Sequence, residues 1–152
     1  LLGMNMKKLI TTAFLMSLAS GSWGQPEEKR EAASVFQEFL SAYNNSDAEG
    51  IVNLFSEDAI FWGTGSKTLG EDTEEILQYF SQISQRPVGQ RFASTKDLSI
   101  LELSKDSILV SGVWKVAIEG QANDTFFRVS MAISLRDGLW KIVQFHNSRM
   151  PE

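Results

Sequence analysis

One histidine, two tyrosines and no cysteine set narrow limits on the chemistry open to this chain. His146 is the sole imidazole, the side chain best suited to move protons near neutral pH. To act as a general base it must face a cavity. Nucleophilic catalysis has no cysteine to use, and no serine sits in the strand–turn–helix context of an activated nucleophile. One imidazole without cysteine leaves only carboxylates to complete a metal shell, a poor set for zinc; no metal and no cofactor is expected. Gly63, Gly65 and Gly70 do not form a phosphate-cradling pattern and read as turn residues. Asp58 and Tyr79 complete the acid–base candidates. Asp58, just after Ser56-Glu57, reads first as part of a loop between a helix and a strand.

The segment that positions His146 is the most informative stretch, Leu135 to Pro151. Asp137-Gly138 is the pair that accepts positive φ at both centres of a type I′ hairpin turn. Before it, Phe127, Val129, Met131, Ile133 and Leu135 alternate with Arg128, Ser130, Ala132 and Ser134, the period of a strand with one buried face. After it, Trp140, Ile142, Gln144, His146 and Ser148 form one row. Val143, Phe145, Asn147 and Arg149 form the other. Apolar bulk in both rows predicts cover on both faces, by helices on one side and a second subunit on the other. A bulge in this strand would flip the parity locally.

Upstream, three helices are legible. Pro26 and Glu27-Glu28 suit a first turn, and Ala32, Val35, Phe36, Phe39, Leu40 and Tyr43 then make one apolar stripe ending at Asn44-Asn45. Ser46 with Glu49 reads as a capping box for a short helix burying Ile51, Leu54 and Phe55. Ala59 to Trp62 is a short strand, followed by the loop Gly63-Thr64-Gly65. Asp72 with Glu75 repeats the capping signal for a third helix, burying Ile76, Phe80 and Ile83 and ending at Arg86-Pro87. Long strands follow from about Arg91 to Leu103 and from Ser107 to Glu119. The second carries Ile108, Val110, Gly112, Trp114, Val116 and Ile118 on one face, and Gly120 to Asp124 is the turn after it. Helices first and a meander of antiparallel strands after them predict an α+β domain, a curved antiparallel sheet wrapped around the long first helix as an open-mouthed cone.

The tail Arg136-Asp137-Gly138-x-Trp140-x-Ile142-Val143-x-Phe145-His146-x-Ser148, followed by Pro151, resembles the end of the association (hub) domain of calcium/calmodulin-dependent protein kinase type II. It equally resembles stand-alone bacterial SgcJ/EcaC and SnoaL-like proteins. All belong to the nuclear transport factor 2-like superfamily, whose cone fold hosts many unrelated activities. The resemblance implies that the hub's cavity arginines fall at Met131 and Asn147, a third near Trp114, and its histidine near Ile76. This chain therefore departs from a basic, carboxylate-binding pocket. The implied cavity face is Val129, Met131 and Ile133 with Val143, Phe145, Asn147 and Arg149. Trp62, Tyr79, Trp114, Met131 and Phe145 are its expected walls, and Asn147 and Arg149 its polar handles. Such a lining suits a small apolar or aromatic ligand, unless the side chains simply fill the cone. His146 then looks away from the cavity and reads better as an interface residue than as a catalyst. Ketosteroid isomerase-like chemistry in this superfamily needs an inward acid and an oxyanion donor, and the last two strands offer no Asp or Glu on that face.

Residues 1–24 read as a leader: Lys7-Lys8, an apolar run from Leu9 to Ala19 too short to span a bilayer, and small residues ending at Gly24. Leu1-Leu2-Gly3 is an upstream extension, with the start at Met4 or Met6. Export to the periplasm or medium is expected, with no stable membrane association after cleavage, leaving one domain over 25–152. Losing Lys7 and Lys8 takes the formal charge from −5 to −7. An acidic domain with no basic cluster argues against nucleic acid as a partner. Two functions stay open. One is an exported, small-molecule-binding protein of the SgcJ/EcaC or SnoaL-like type, with or without low-specificity catalysis by His146, Asp58 or Tyr79. The other is an assembly module. A homodimer or larger is expected on the Trp140 and Ile142 row.

Overall fold

The computed structural model describes residues 27–151. The expected leader and Pro26 lie outside them. Helix α1 (Glu27–Asn44) is followed by α2 (Ala48–Val52), β1 (Phe55–Trp62), α3 (Thr73–Phe80) with a 3-10 turn (Ser81–Ile83), and then β2 (Arg91–Ser104), β3 (Ser107–Ile118), β4 (Thr125–Arg136) and β5 (Leu139–Arg149). The sheet order is β1-β5-β4-β3-β2. The four long strands form the expected antiparallel meander, but β1 pairs with β5 in parallel, so the sheet is mixed.

The local signals hold with adjustments. Asp72 caps α3 by accepting from the Glu75 amide at 2.8 Å, while the Glu75 carboxylate accepts from the Glu71 amide. At α2 the cap is Asp47, not Ser46: Asp47 accepts from the Gly50 amide at 2.7 Å, and Ser46 instead turns the chain at φ 57°. An Asp cap contributes about 1 kcal/mol. Phe55 opens β1 rather than ending α2, so β1 is longer than expected and Asp58 lies within it rather than in a loop. The β4–β5 hairpin turns on Asp137 and Gly138, at φ 50° and 82°, as a type I′ turn requires.

All three helices lie on one face of the sheet. The α1 stripe Ala32, Val35, Phe36 and Phe39 is buried, and Phe39 meets Phe145 of β5 at 5.3 Å and Trp114 of β3 at 6.0 Å between centroids. From α3, Phe80 meets Phe61 of β1 at 5.5 Å. Both sheet edges are partly closed off. Asn44, the last residue of α1, accepts from the Ala93 amide and donates to its carbonyl at the β2 edge, and Gly70 exchanges two backbone hydrogen bonds with Phe61 at the β1 edge. Blunted edges discourage strand addition by other chains.

β5 departs from simple alternation. Ala132 pairs with Gln144, but Ile133 pairs with Ile142, leaving Val143 as a bulge. Before the bulge the even-numbered Ile142 is fully buried and Trp140 packs half-buried against the core; after it, the odd-numbered Phe145 and Asn147 point inward. Trp140 and Ile142 are therefore not an outer interface row, and Val143 is not a cavity residue. Two residues opposite one flip the parity of everything on one side of the bulge.

Candidate functional site

The concave side of the sheet is occupied by its own rings. Phe61 and Phe145 stack at 5.2 Å with 11° between planes, and Phe36, Phe39, Phe61, Phe145 and Met131 are each at most 2% exposed. Ring pairs of this kind add about 0.5–1.5 kcal/mol each beyond area burial. Trp114 and Met131 belong to this core. Trp62 does not. It is 41% exposed on the opposite face of β1, and Phe61 takes the wall position expected of it.

The polar part of the site is a short chain of hydrogen bonds at the β5 end of the cone. Among the described residues, Asn147 is the one buried polar residue of the core. Its Oδ1 accepts from Trp114 Nε1 at 2.7 Å, and its Nδ2 donates to Thr64 Oγ1 at 2.6 Å. Thr64 Oγ1 in turn donates to the Asn147 carbonyl at 3.3 Å. Thr64 reaches this point because the segment after β1 folds back onto its edge at Gly70. Gly63 permits the approach: a Cβ there would sit 2.3 Å from the Tyr79 ring. Tyr79, half-buried, lies 4.8 Å from Phe61 between ring centres. Burial pushes its phenol up, opposed by smaller contributions from the Gly65 and Thr64 backbone. Beside Trp114 stands Tyr43 at 5.3 Å, with Arg86 over its ring and Arg86 Nη1 donating to its hydroxyl at 3.3 Å.

Of the expected residues, the structure gathers Trp114, Met131, Phe145, Asn147 and Tyr79. It leaves Arg149 exposed at the strand end, its carbonyl accepting from Arg128 rather than its guanidinium serving the site. His146 is exposed on the outer face between its strand partners Trp62 and Ser130. Asp58 lies elsewhere again. It lines an open groove of about 630 Å³ with Asn53, Phe55, Thr73, Arg136 and Lys141. Lys141 lies six residues before Asn147 on β5, about 20 Å at the usual rise. The Ser56 hydroxyl holds the Asp58 carboxyl below its ordinary range, with Arg136 adding to the effect. The three acid–base candidates thus occupy three separate places and do not form a constellation. Thr64 is the partner that sequence reasoning missed. Its signal was a lone hydroxyl between two glycines, Gly63 and Gly65.

Residues 32–152 match the SnoaL-like domain. The chain belongs to the SnoaL-like domain family. No curated protein matches it. Among solved structures, this SnoaL-like chain is similar to a Xanthomonas campestris protein designated a calcium/calmodulin-dependent protein kinase II association domain, at 25% identity and a TM-score of 0.71 over 81% of this chain and 88% of that one. An NTF2-like protein of unknown function from Pseudomonas putida KT2440 shares 13% identity and a TM-score of 0.73, over 82% and 87%. A ketosteroid isomerase-like protein from Erwinia carotovora atroseptica SCRI1043 shares 14% identity and a TM-score of 0.68, over 84% and 100%. The latter two establish the nuclear transport factor 2-like cone fold for this SnoaL-like domain, and nothing about its substrate.

Proposed function

We propose that this SnoaL-like domain is an exported self-associating module, a homodimer or larger built on the outer face of its sheet. The observation that carries the reading is the contrast between the two faces. The inner face is filled by the chain's own rings. Among the described residues the outer face has no helix over it, and it combines small residues with apolar ones: Ser130, Ala132 and Ser134 on β4, Leu109 and Val113 on β3, Ile60 and Trp62 on β1. Small side chains let two sheets approach closely, and the apolar ones drive association on removal from water. The likeness to a protein designated an association domain supports the same reading. Light scattering tests it. The expected result is a dimer or larger for the native chain, and soluble folded monomers for Ala132→Arg and Trp62→Glu. A native monomer at micromolar concentration would overturn it.

A second reading, binding of a small apolar or aromatic molecule, is favoured by Asn147, Trp114, Thr64 and Tyr79. These polar groups converge in otherwise apolar surroundings, as in ligand sites. In this state their hydrogen bonds satisfy one another, so a ligand must displace Thr64 to reach them. Mass spectrometry of gently purified protein, with thermal shifts across aromatic and fatty-acid panels, tests this. A retained compound whose binding is lost in Asn147→Leu supports it, and a featureless screen sinks it.

A further inference from the structure

His146 serves neither the core nor the Asn147 cluster, and its surroundings give it another use. It stands on the outer face of β5, with Trp62 of β1 on one side and Ser130 of β4 on the other. Along its own row the neighbours are Gln144 and Ser148. The charged groups on that face are mostly cations: Arg128, one pair further along β4 opposite Ser148; then Lys115 on β3 and Lys96 on β2, with Arg136 and Lys141 toward the hairpin. The carboxylates of the face are engaged or distant. Asp124 is held by Lys115 at 2.7 Å, Asp58 is bonded to Ser56 at the start of β1, and Asp97 lies at the far edge on β2. Among the described residues no helix packs there, and the side chains flanking His146 supply no anion to an imidazolium at this position.

We infer that His146 makes self-association of this face pH-dependent, holding copies together when neutral and separating them when protonated. The inference rests on the outer-face assembly proposed above. An isologous contact places the same patch on both copies, so each partner brings another His146 and another set of cations. Protonation then adds two positive charges to a face that carries Arg128 and Lys96 on each copy, and each imidazolium must lose its water to be covered. Neutral imidazole carries neither cost, and beside Trp62 it offers a flat, partly apolar surface. The linkage sign follows. Covering favours the neutral form, because a covered imidazolium loses its hydration. Association is then strongest where the imidazole is neutral and weakens as pH falls.

Sedimentation or light scattering at pH 7.5 and pH 5, at fixed ionic strength, tests this. Two groups that must both be neutral weaken association by up to about 100-fold for each pH unit below their titration. The expected result is loss of the dimer at pH 5 with the fold intact by circular dichroism. In His146→Gln the ratio of dissociation constants at the two pH values should fall to within about threefold, whatever the absolute affinity. A native chain that stays equally dimeric at pH 5, or a His146→Gln chain that keeps the native pH response, overturns the inference and leaves outer-face assembly standing. A monomer at pH 7.5 sinks both.

Discussion

Ile142 and Phe145 lie three residues apart on one extended strand, and both point into the core. Regular alternation forbids this; the bulge at Val143 permits it. Ile142 should therefore behave as a core residue. Replacing it with Ala should cost about 2–5 kcal/mol in urea unfolding, from lost burial plus a cavity. Val143→Ala, at the half-buried bulge, should cost under about 1 kcal/mol. Equal costs at the two positions would mean that the bulge is misplaced and that Ile142 faces outward.

Asn147 is buried with both ends of its amide engaged, by Trp114 and by Thr64. Asn147→Ala leaves the indole N–H and the threonine hydroxyl without that partner, and should destabilise by about 1–3 kcal/mol. Thr64→Val keeps the shape but removes the hydroxyl, and the two changes should be non-additive because they break the same bond. A double-mutant cycle on unfolding free energies checks it. Strict additivity would show that the Thr64–Asn147 contact is not made in solution.

Much of this architecture was readable in the chain. Period-two alternation puts Val129, Met131 and Ile133 on one face of β4 and Trp114 on one face of β3; the resemblance implies that these faces look inward, and each of the four is buried. Asp137-Gly138 marked the hairpin, and the Phe36–Phe39–Leu40 stripe marked the face of α1. What was hidden depends on long-range pairing. Nothing local tells β1 to lie parallel to β5, and a bulge is specified by the partner strand as much as by Val143 itself. The errors followed from those two causes. Alternation extended through the bulge puts Trp140 and Ile142 outside, whereas Ile142 is buried and Trp140 packs against the core. Trp62 was placed inside because the register of β1 was unknown. Met131, Phe145 and Asn147 sit on regular stretches, and all three are buried.

The β2 edge predicts a sharp contrast between two glycines. Gly112 lies opposite Leu98, beside the irregularity at Lys96, and a Cβ there would meet the Asp97 carbonyl oxygen at 2.1 Å. That neighbour is backbone in a paired strand and cannot swing away. Gly112→Ala should cost about 1–3 kcal/mol through overpacking, lowering Tm by roughly 4–15 °C in a domain of this size. Gly65→Ala, where a Cβ would meet nothing within 4 Å, should be neutral or slightly stabilising. Differential scanning calorimetry decides, and equal melting points for the two variants would refute the close approach.

Tyr79 supplies an alkaline signature. Burial raises its pKa above the ordinary value of 10.0, so the folded state favours the neutral phenol. The sign is that of a raised group. Its contribution to stability is complete below the unfolded-chain pKa and is lost as pH climbs through the higher folded value. Spectrophotometric titration of the native protein should show a tyrosine ionising later than a free phenol, and that late step should vanish in Tyr79→Phe. The variant should also lose less stability than the native chain on going from neutral to strongly alkaline pH. If the late step persists in Tyr79→Phe and only an ordinary phenol is lost, the Tyr79 ring is open to water, and the segment from Gly63 to Gly70 does not cover it.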